Sequence, residues 1–95
     1  MRMLHLDQNA IICVKSHDKT SDIDWFTFVF TGRPESDGAA GMLKIAYDLH
    51  YERWLPHVWS YDQQANRWTQ YGTDQREKLI ELINDPRVVR VQEGL

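Results

Sequence analysis

Hydrophobic and polar residues follow a period of two along DWFTFVFTG (24–32), where three phenylalanines alternate with other residues. In an extended strand the phenylalanines fall on one face and the intervening residues on the other. Both faces are at least half apolar, which predicts a central strand that is covered on both sides. The run AIICVKS (10–16) predicts an earlier strand. The polar, acidic segment HDKTSDID (17–24) predicts the turn between the two.

The segment MLKIAYDLHYERW (42–54) fits two patterns. A helical interpretation gives one narrow apolar stripe and leaves Tyr51 and Trp54 poorly placed. Alternation of apolar and polar positions continues for ten residues and favours a strand. Pro56 then ends or bends this strand, because proline has no N–H to donate to a sheet.

The aromatic stretch VWSYDQQANRWTQYG (58–72) predicts a β-hairpin. If Asp62 pairs with Arg67 around the turn QQAN, the side chains of the hairpin divide between two sides. The aromatic side comprises Trp59, Tyr61 and Trp68, and the reverse side comprises Val58 and Tyr71. We expect the aromatic side to face the core.

After Gly72 the period changes to that of a helix, and residues 74–84 carry one apolar stripe. Asp74 and Glu77 have capping-box spacing, and Thr73 is an alternative cap. Asn84-Asp85-Pro86 ends the helix, and the β-branched run that follows predicts a last strand.

These elements predict an α+β fold: a small, mostly antiparallel sheet of about five to six strands, arranged like a meander. One C-terminal helix, at about 74–84, packs on one face. We expect residues 1–95 to form a single domain, because a chain of 95 residues builds one core.

The composition and net charge of the chain exclude several classes of protein. Apolar residues make up 42% and charged residues 26%, as in ordinary globular proteins. The net charge of −3 gives no basic surface for duplex nucleic acid. No apolar run has membrane-spanning length, and MRMLHLDQNA lacks the pattern of a signal peptide. The only cysteine, Cys13, lies in an apolar run and is expected to be a buried hydrophobe. Without a disulfide, the expectation is a cytoplasmic protein.

Candidate chemistry is sparse. If 42–54 is a strand, Asp48, His50 and Glu52 share a face, with His57 nearby; these are weak metal-ligand candidates. The more ordinary interpretation is the solvent side of an amphipathic strand. We therefore expect no metal, no cofactor and no enzymatic activity.

Three other features match no specific motif. The acids of HDKTSDID lack the order and the glycine of an EF-hand calcium loop. The glycine-containing loop 32–41 matches no phosphate-binding pattern. Ser36 and Ser60 lack the context of a catalytic serine.

The remaining candidates are surfaces. A sheet covered by one helix leaves its other face open, and an apolar patch rimmed by charge is typical of a contact surface. That surface is predicted to comprise Trp25, Val29, Ala46, Val58 and Tyr71. The charged residues Lys44, Asp48 and Glu52 border it. The sequence therefore predicts a small protein–protein interaction module of the accessory, inhibitor or immunity type. It acts through this face or an edge strand, on a partner protein or a second copy, and we expect it to form a homodimer. The alternative is an aromatic platform of Trp59, Tyr61 and Trp68 for an oligosaccharide or single-stranded nucleic acid.

Overall fold

The computed structural model describes residues 11–30 and 41–93. These residues form seven β-strands and one α-helix. The strands are β1 (Ile11–Asp18), β2 (Ile23–Phe30), β3 (Met42–Asp48), β4 (Arg53–Trp54), β5 (Val58–Asp62), β6 (Arg67–Gly72) and β7 (Val88–Gln92), and the helix is α1 (Arg76–Ile83). The predicted loop 32–41 lies outside the described residues, apart from Gly41, and so does Ser36.

The strands join one sheet in the order β6-β5-β3-β2-β1-β7, with β4 paired to β3 beside this path. Neighbours from β6 to β1 are antiparallel, whereas β7 runs parallel to β1. β6 and β7 therefore form opposite edges, and α1 lies between them in the chain. A parallel pairing needs such a crossover, while antiparallel neighbours need only a turn. The predicted α+β class, with a mostly antiparallel sheet and one short helix, is confirmed.

The core lies between α1 and one face of the sheet. Phe28 on β2, Ile45 on β3 and Val58 on β5 have no exposed surface. Leu79 of α1 packs with them and is 3% exposed. The other two phenylalanines of β2 pack against the same cluster, so the phenylalanine face predicted from the period of two is the core face. Full burial of each such side chain contributes about 1.5–3 kcal/mol, which makes this face the main source of stability.

Three hairpin turns use the same chemistry. In each, an aspartate closes one strand, and its Oδ1 accepts hydrogen bonds of 3.0–3.4 Å from the backbone N–H groups two and three residues later. The aspartates are Asp18, Asp48 and Asp62. Each turn then ends on a residue with left-handed backbone geometry. These residues are Asp22, Glu52 and Asn66, with φ of 57°, 53° and 55°. An aspartate at the start of a turn replaces backbone partners that the chain loses as it reverses.

The predicted strand over 42–54 is right in type and wrong in length. β3 ends at Asp48, the chain turns, and β4 returns antiparallel to β3 with Asp48 opposite Arg53. Leu49 and Tyr51 are apolar positions of the alternation, and they are 37% and 66% exposed in the turn. The alternation continues through the turn because a period of two carries no information about where the backbone reverses. The hydrogen bonds that the Asp48 carboxylate accepts from the backbone of the turn determine where the strand ends.

The helix is shorter than predicted. It begins at Arg76, and its N-cap residue, Gln75, makes no side-chain capping hydrogen bond. The predicted cap at Thr73 or Asp74 is therefore wrong. Instead, the backbone carbonyl of Thr73 accepts a 3.2 Å hydrogen bond from the Arg76 N–H, so a backbone turn leads into the helix. Within the described ranges, no helix has the length and apolar character needed to cross a membrane.

Candidate interaction face

The sheet face opposite α1 is set by the strand registers. Val29 lies opposite Met42, Trp25 opposite Ala46, and Lys44 opposite Trp59. Because residues paired across strands point to the same side, these side chains share a face. We call it the open face. Away from the turns it comprises Ile12, Val14, Ser16, Trp25, Thr27, Val29, Met42, Lys44, Ala46, Trp59, Tyr61, Trp68, Gln70, Val89 and Val91. Among residues 11–30 and 41–93, no element packs over it.

Lys44 occupies the middle of the open face between two tryptophans. Its Nζ lies 4.3 Å from the ring centroid of Trp25 on β2 and 4.3 Å from that of Trp68 on β6. Both distances are within the range of a cation–π attraction. One side chain of β3 thus connects strands on both sides of it, which holds the two indoles in a defined arrangement.

The electrostatics of Lys44 follow from its surroundings. Burial lowers the pKa of its ammonium group, because desolvation disfavours the charged form. The two ring faces act in the opposite direction, since their quadrupoles attract the cation. None of the carboxylates in the described part of the chain lies within ion-pair distance of Lys44. The open face therefore presents a half-buried positive charge that no described acid neutralises.

The aromatic group of the β5–β6 hairpin lies on this same face. Tyr61 and Trp68 are opposite each other in register, and their rings meet edge to face with centroids 5.4 Å apart. The Tyr61 hydroxyl donates to Oδ1 of Asn66, which ties the ring to the turn. Trp59 lies next to Lys44 across the β3–β5 pairing. These rings form one surface with Trp25 around the lysine.

The predicted interaction surface is split between the two faces. Trp25 and Val29 lie on the open face, as does Ala46, although Ala46 is 1% exposed and offers little contact area. The prediction that Val58 and Tyr71 belong to the same surface is wrong. Val58 is fully buried in the core under Leu79, and Tyr71 lines a cavity of about 180 Å³ together with residues of α1.

Val58 and Tyr71 lie on the core side because of the way the β5–β6 hairpin joins the sheet. Leu43, on the core side of β3, pairs with Ser60, and Lys44 on the open side pairs with Trp59. The aromatic side of the hairpin is thereby joined to the open face, and the expectation that Trp59, Tyr61 and Trp68 face the core is wrong. The alternation within a hairpin defines its two sides but does not say which side faces the core.

The weak metal candidates do not share a strand face. His50 and Glu52 lie in the turn after β3, Glu52 with φ of 53°. The carboxylate of Asp48 accepts the turn hydrogen bonds, and the His50 ring packs edge to face on Tyr51 with centroids 4.7 Å apart. Among the described residues, no three His, Cys, Asp or Glu side chains form a group that could hold a metal ion.

A polar cluster lies on the core side of the first hairpin, at the end near its turn. Asp24 is 9% exposed, and its Oδ1 lies 2.8 Å from His17 Nδ1. Lys15 Nζ lies 3.7 Å from the other oxygen of Asp24, and Asp22 lies 3.8 Å from His17 Nε2. The sequence singled out His17, Asp22 and Asp24 only as parts of an acidic turn. The register that pairs His17 with Asp24 brings them together, and the cluster links the two strands through the His17–Asp24 hydrogen bond and the Lys15–Asp24 ion pair.

Cys13 and Ser60 are unsuited to nucleophilic chemistry. Burial raises the pKa of the Cys13 thiol to about 11, with Arg90 opposing the shift. A thiol with this pKa is protonated at neutral pH and is a poor nucleophile. Ser60 is 9% exposed and lies on the core side of β5, opposite Leu43.

In comparisons with known proteins, no family model, no curated protein and no solved structure matches this chain. The functional argument therefore depends on the geometry of the open face itself.

Proposed function

We propose that this chain is a small protein–protein interaction module that binds a partner protein through the open face. The observation that carries the proposal is the arrangement of Trp25, Trp59, Tyr61 and Trp68 around Lys44 on a sheet face that no described element covers. Tryptophan and tyrosine contribute most of the binding energy in many protein interfaces. A contiguous apolar sheet face is more typical of a contact surface than of a free monomer surface.

The chemistry of the face indicates the kind of partner. The ammonium of Lys44 is half-buried and has no carboxylate partner among residues 11–30 and 41–93. A partner with an apolar surface and one acidic side chain at its centre would neutralise this charge as the indoles are covered. Complementary charges of this kind determine register and partner choice more than they increase affinity.

The direct test is site-specific photocrosslinking of the full chain in its native cells. A photoreactive amino acid at Gln70, which is exposed on the open face, is expected to give an adduct of defined mass with one partner. Val29→Glu on the same face is expected to abolish that adduct, because it places a charge in the contact surface. Glu81→Lys, on the exposed side of α1, is the matched control and should leave the adduct intact.

A photoreactive group at Glu81 separates specific contact from random collision. If Gln70 and Glu81 give the same adducts, if Gln70 gives none, or if the Gln70 adduct survives Val29→Glu, the proposal is wrong. Far-UV spectra of the variants establish that each one is folded before the comparison is made.

A second candidate function is favoured by the position of the aromatic hairpin. Because Trp59, Tyr61 and Trp68 lie on the open face beside a cation, they could stack on sugars or unpaired bases, the latter contributing about 1–3 kcal/mol per base. Titration with defined oligosaccharides and single-stranded oligonucleotides would then quench tryptophan fluorescence. Trp59→Leu should remove the response. Trp54→Phe should keep it, because Trp54 packs on Phe26 and Tyr47 on the other side of the sheet. A flat titration contradicts this function.

A further inference from the structure

The two edges of the sheet differ in how they are protected. β6 has an irregular register beside Val58 and ends at Gly72 with φ of 98°. Bulges of this kind twist an edge strand and oppose pairing with another chain. β7, at the opposite edge, is a regular strand with the sequence VVRVQ and contains neither proline nor lysine. None of the strands that the structure describes pairs with its outer edge.

The hydrogen-bonding groups on the outer edge of β7 can be identified from its pairing with β1. The Glu93 N–H donates to the carbonyl of Lys15 at 2.8 Å, and Gln92 is the register partner of Lys15. In a parallel ladder the residues on either side of the register partner bond to the neighbour. Val89 and Val91 therefore direct their backbone groups to β1, and Arg90 and Gln92 direct theirs outward.

We infer that the outer edge of β7 pairs antiparallel with β7 of a second copy, so that the two sheets become one continuous sheet. The outward N–H and C=O groups of Arg90 and Gln92 supply the hydrogen bonds. Val89 and Val91, which are 41% and 46% exposed, lie on the open face of this edge and are partly covered by the pairing. The occupant is a second copy because the strand is complementary to itself in one particular register.

That register places Val91 opposite Val91 of the partner copy on the two-fold axis, with Arg90 opposite Gln92 on each side. It uses all the outward groups of Arg90 and Gln92. A register centred on Arg90 would place two like charges directly opposite each other, which is destabilising. A register centred on Val89 would need the Val88 N–H, which already donates to the carbonyl of Asp85 at 3.0 Å. A register centred on Gln92 avoids both conflicts, but among the described residues it uses the outward groups of Gln92 alone. The register centred on Val91 avoids both conflicts and also uses the outward groups of Arg90.

The consequence for the molecule is a larger contact surface. Both open faces lie on the same side of the joined sheet, because a two-fold axis perpendicular to the sheet keeps each face on its own side. The self-pairing does not depend on the function proposed above, since it uses the backbone of β7 and not the tryptophan surface.

Cysteine substitutions test the register directly. Residues directly opposite in a non-hydrogen-bonded antiparallel pair have Cα atoms about 4.5 Å apart, which is within the range of a disulfide. Val91→Cys is therefore expected to give a disulfide-linked dimer under mild oxidation, whereas Val89→Cys and Arg90→Cys are not. The native Cys13 is buried and serves as the background control. Cross-linking at position 89 or 90 instead of 91 would overturn the register.

Sedimentation of the unmodified chain tests the pairing itself and should show a concentration-dependent dimer. Gln92→Pro removes one outward N–H from each copy without affecting the bonds to β1. It should raise the dimer dissociation constant about 30-fold, equivalent to about 2 kcal/mol. Gln92→Ala keeps the N–H and should dimerise like the unmodified chain. A chain that stays monomeric at its highest soluble concentration, or equal effects of the two variants, would disprove the inference. The photocrosslinking at Gln70 would be unaffected by that outcome.

Discussion

At the scale of the residue, Lys44 is the side chain whose role changes most between sequence and structure. The sequence places it among the charged residues that border an apolar patch. In the structure its ammonium group lies between two indoles in the middle of the open face. The long aliphatic stem of lysine makes this possible, because it can cover apolar surface while its charged end reaches a favourable position.

Replacing Lys44 by methionine measures this contact. Lys44→Met keeps the length and apolar character of the stem and removes the charge between the rings. Cation–π contacts contribute about 0.5–2 kcal/mol, and the relief of desolvation offsets part of that loss. We expect the free energy of unfolding in urea to fall by about 1 kcal/mol, together with a change in tryptophan emission. Lys19→Met, in the exposed turn after β1, is the control and should change neither. Equal stability of the two variants would contradict the role of Lys44.

At the scale of the element, the recurring aspartate turn explains where the strands end. The turns after β1, β3 and β5 each start from an aspartate and end on a left-handed residue. The hydrophobic pattern predicts the type of most elements, because alternation along a strand follows directly from its geometry. It fails at their ends, as in 42–54, because a turn is determined by a few local hydrogen bonds that the pattern does not include.

Among the three residues with left-handed backbone geometry, Glu52 is the one for which this conformation costs most free energy. A left-handed conformation is costly for glutamate, whereas glycine adopts it freely at the cost of more disorder in the unfolded chain. Glu52→Gly is therefore expected to raise the free energy of unfolding by about 0.5 kcal/mol. Glu81→Gly, in the interior of α1, should lower it by about 1 kcal/mol. Thermal denaturation of both variants gives the comparison, and a destabilised Glu52→Gly would contradict the backbone strain assigned to Glu52.

At the scale of the whole molecule, one thin core joins the sheet to the helix. Cys13 lies in this core with Phe28, Ile45 and Leu79 and is 3% exposed. The core therefore includes the central strands and α1 together. A molecule with one core of this kind is expected to open cooperatively, so that a buried group is reached mainly through global unfolding.

The rate at which a reagent labels the Cys13 thiol measures this opening of the core. Burial raises its pKa from 9.0 to about 11, so the folded state should contain about 100-fold less thiolate than the unfolded state at neutral pH. Labelling by a thiol reagent should be slow in buffer and fast in denaturant, with a rate that follows the free energy of unfolding. Rapid labelling of the folded chain would contradict the buried position.

The raised pKa of Cys13 also predicts that the free energy of unfolding depends on pH. Between pH 9.0 and about 11 the unfolded state loses the Cys13 proton while the folded state retains it. The unfolded state then binds fewer protons, so the stability contributed by this residue falls as pH rises through that window. Comparison of unmodified protein with Cys13→Ala in urea across this range isolates the effect, and parallel pH profiles would count against it.

The sequence by itself determined the α+β class, the phenylalanine face of β2 and the two sides of the aromatic hairpin, because each follows from periodicity within one element. Only the tertiary structure decided which side of the hairpin faces the core. The pairing of Lys44 with Trp59 depends on how β5 aligns with β3, and a shift of one residue would reverse it. Contacts between distant strands make that choice. The conspicuous tryptophans therefore lie on the open face, while Val58, on the quieter side, is in the core.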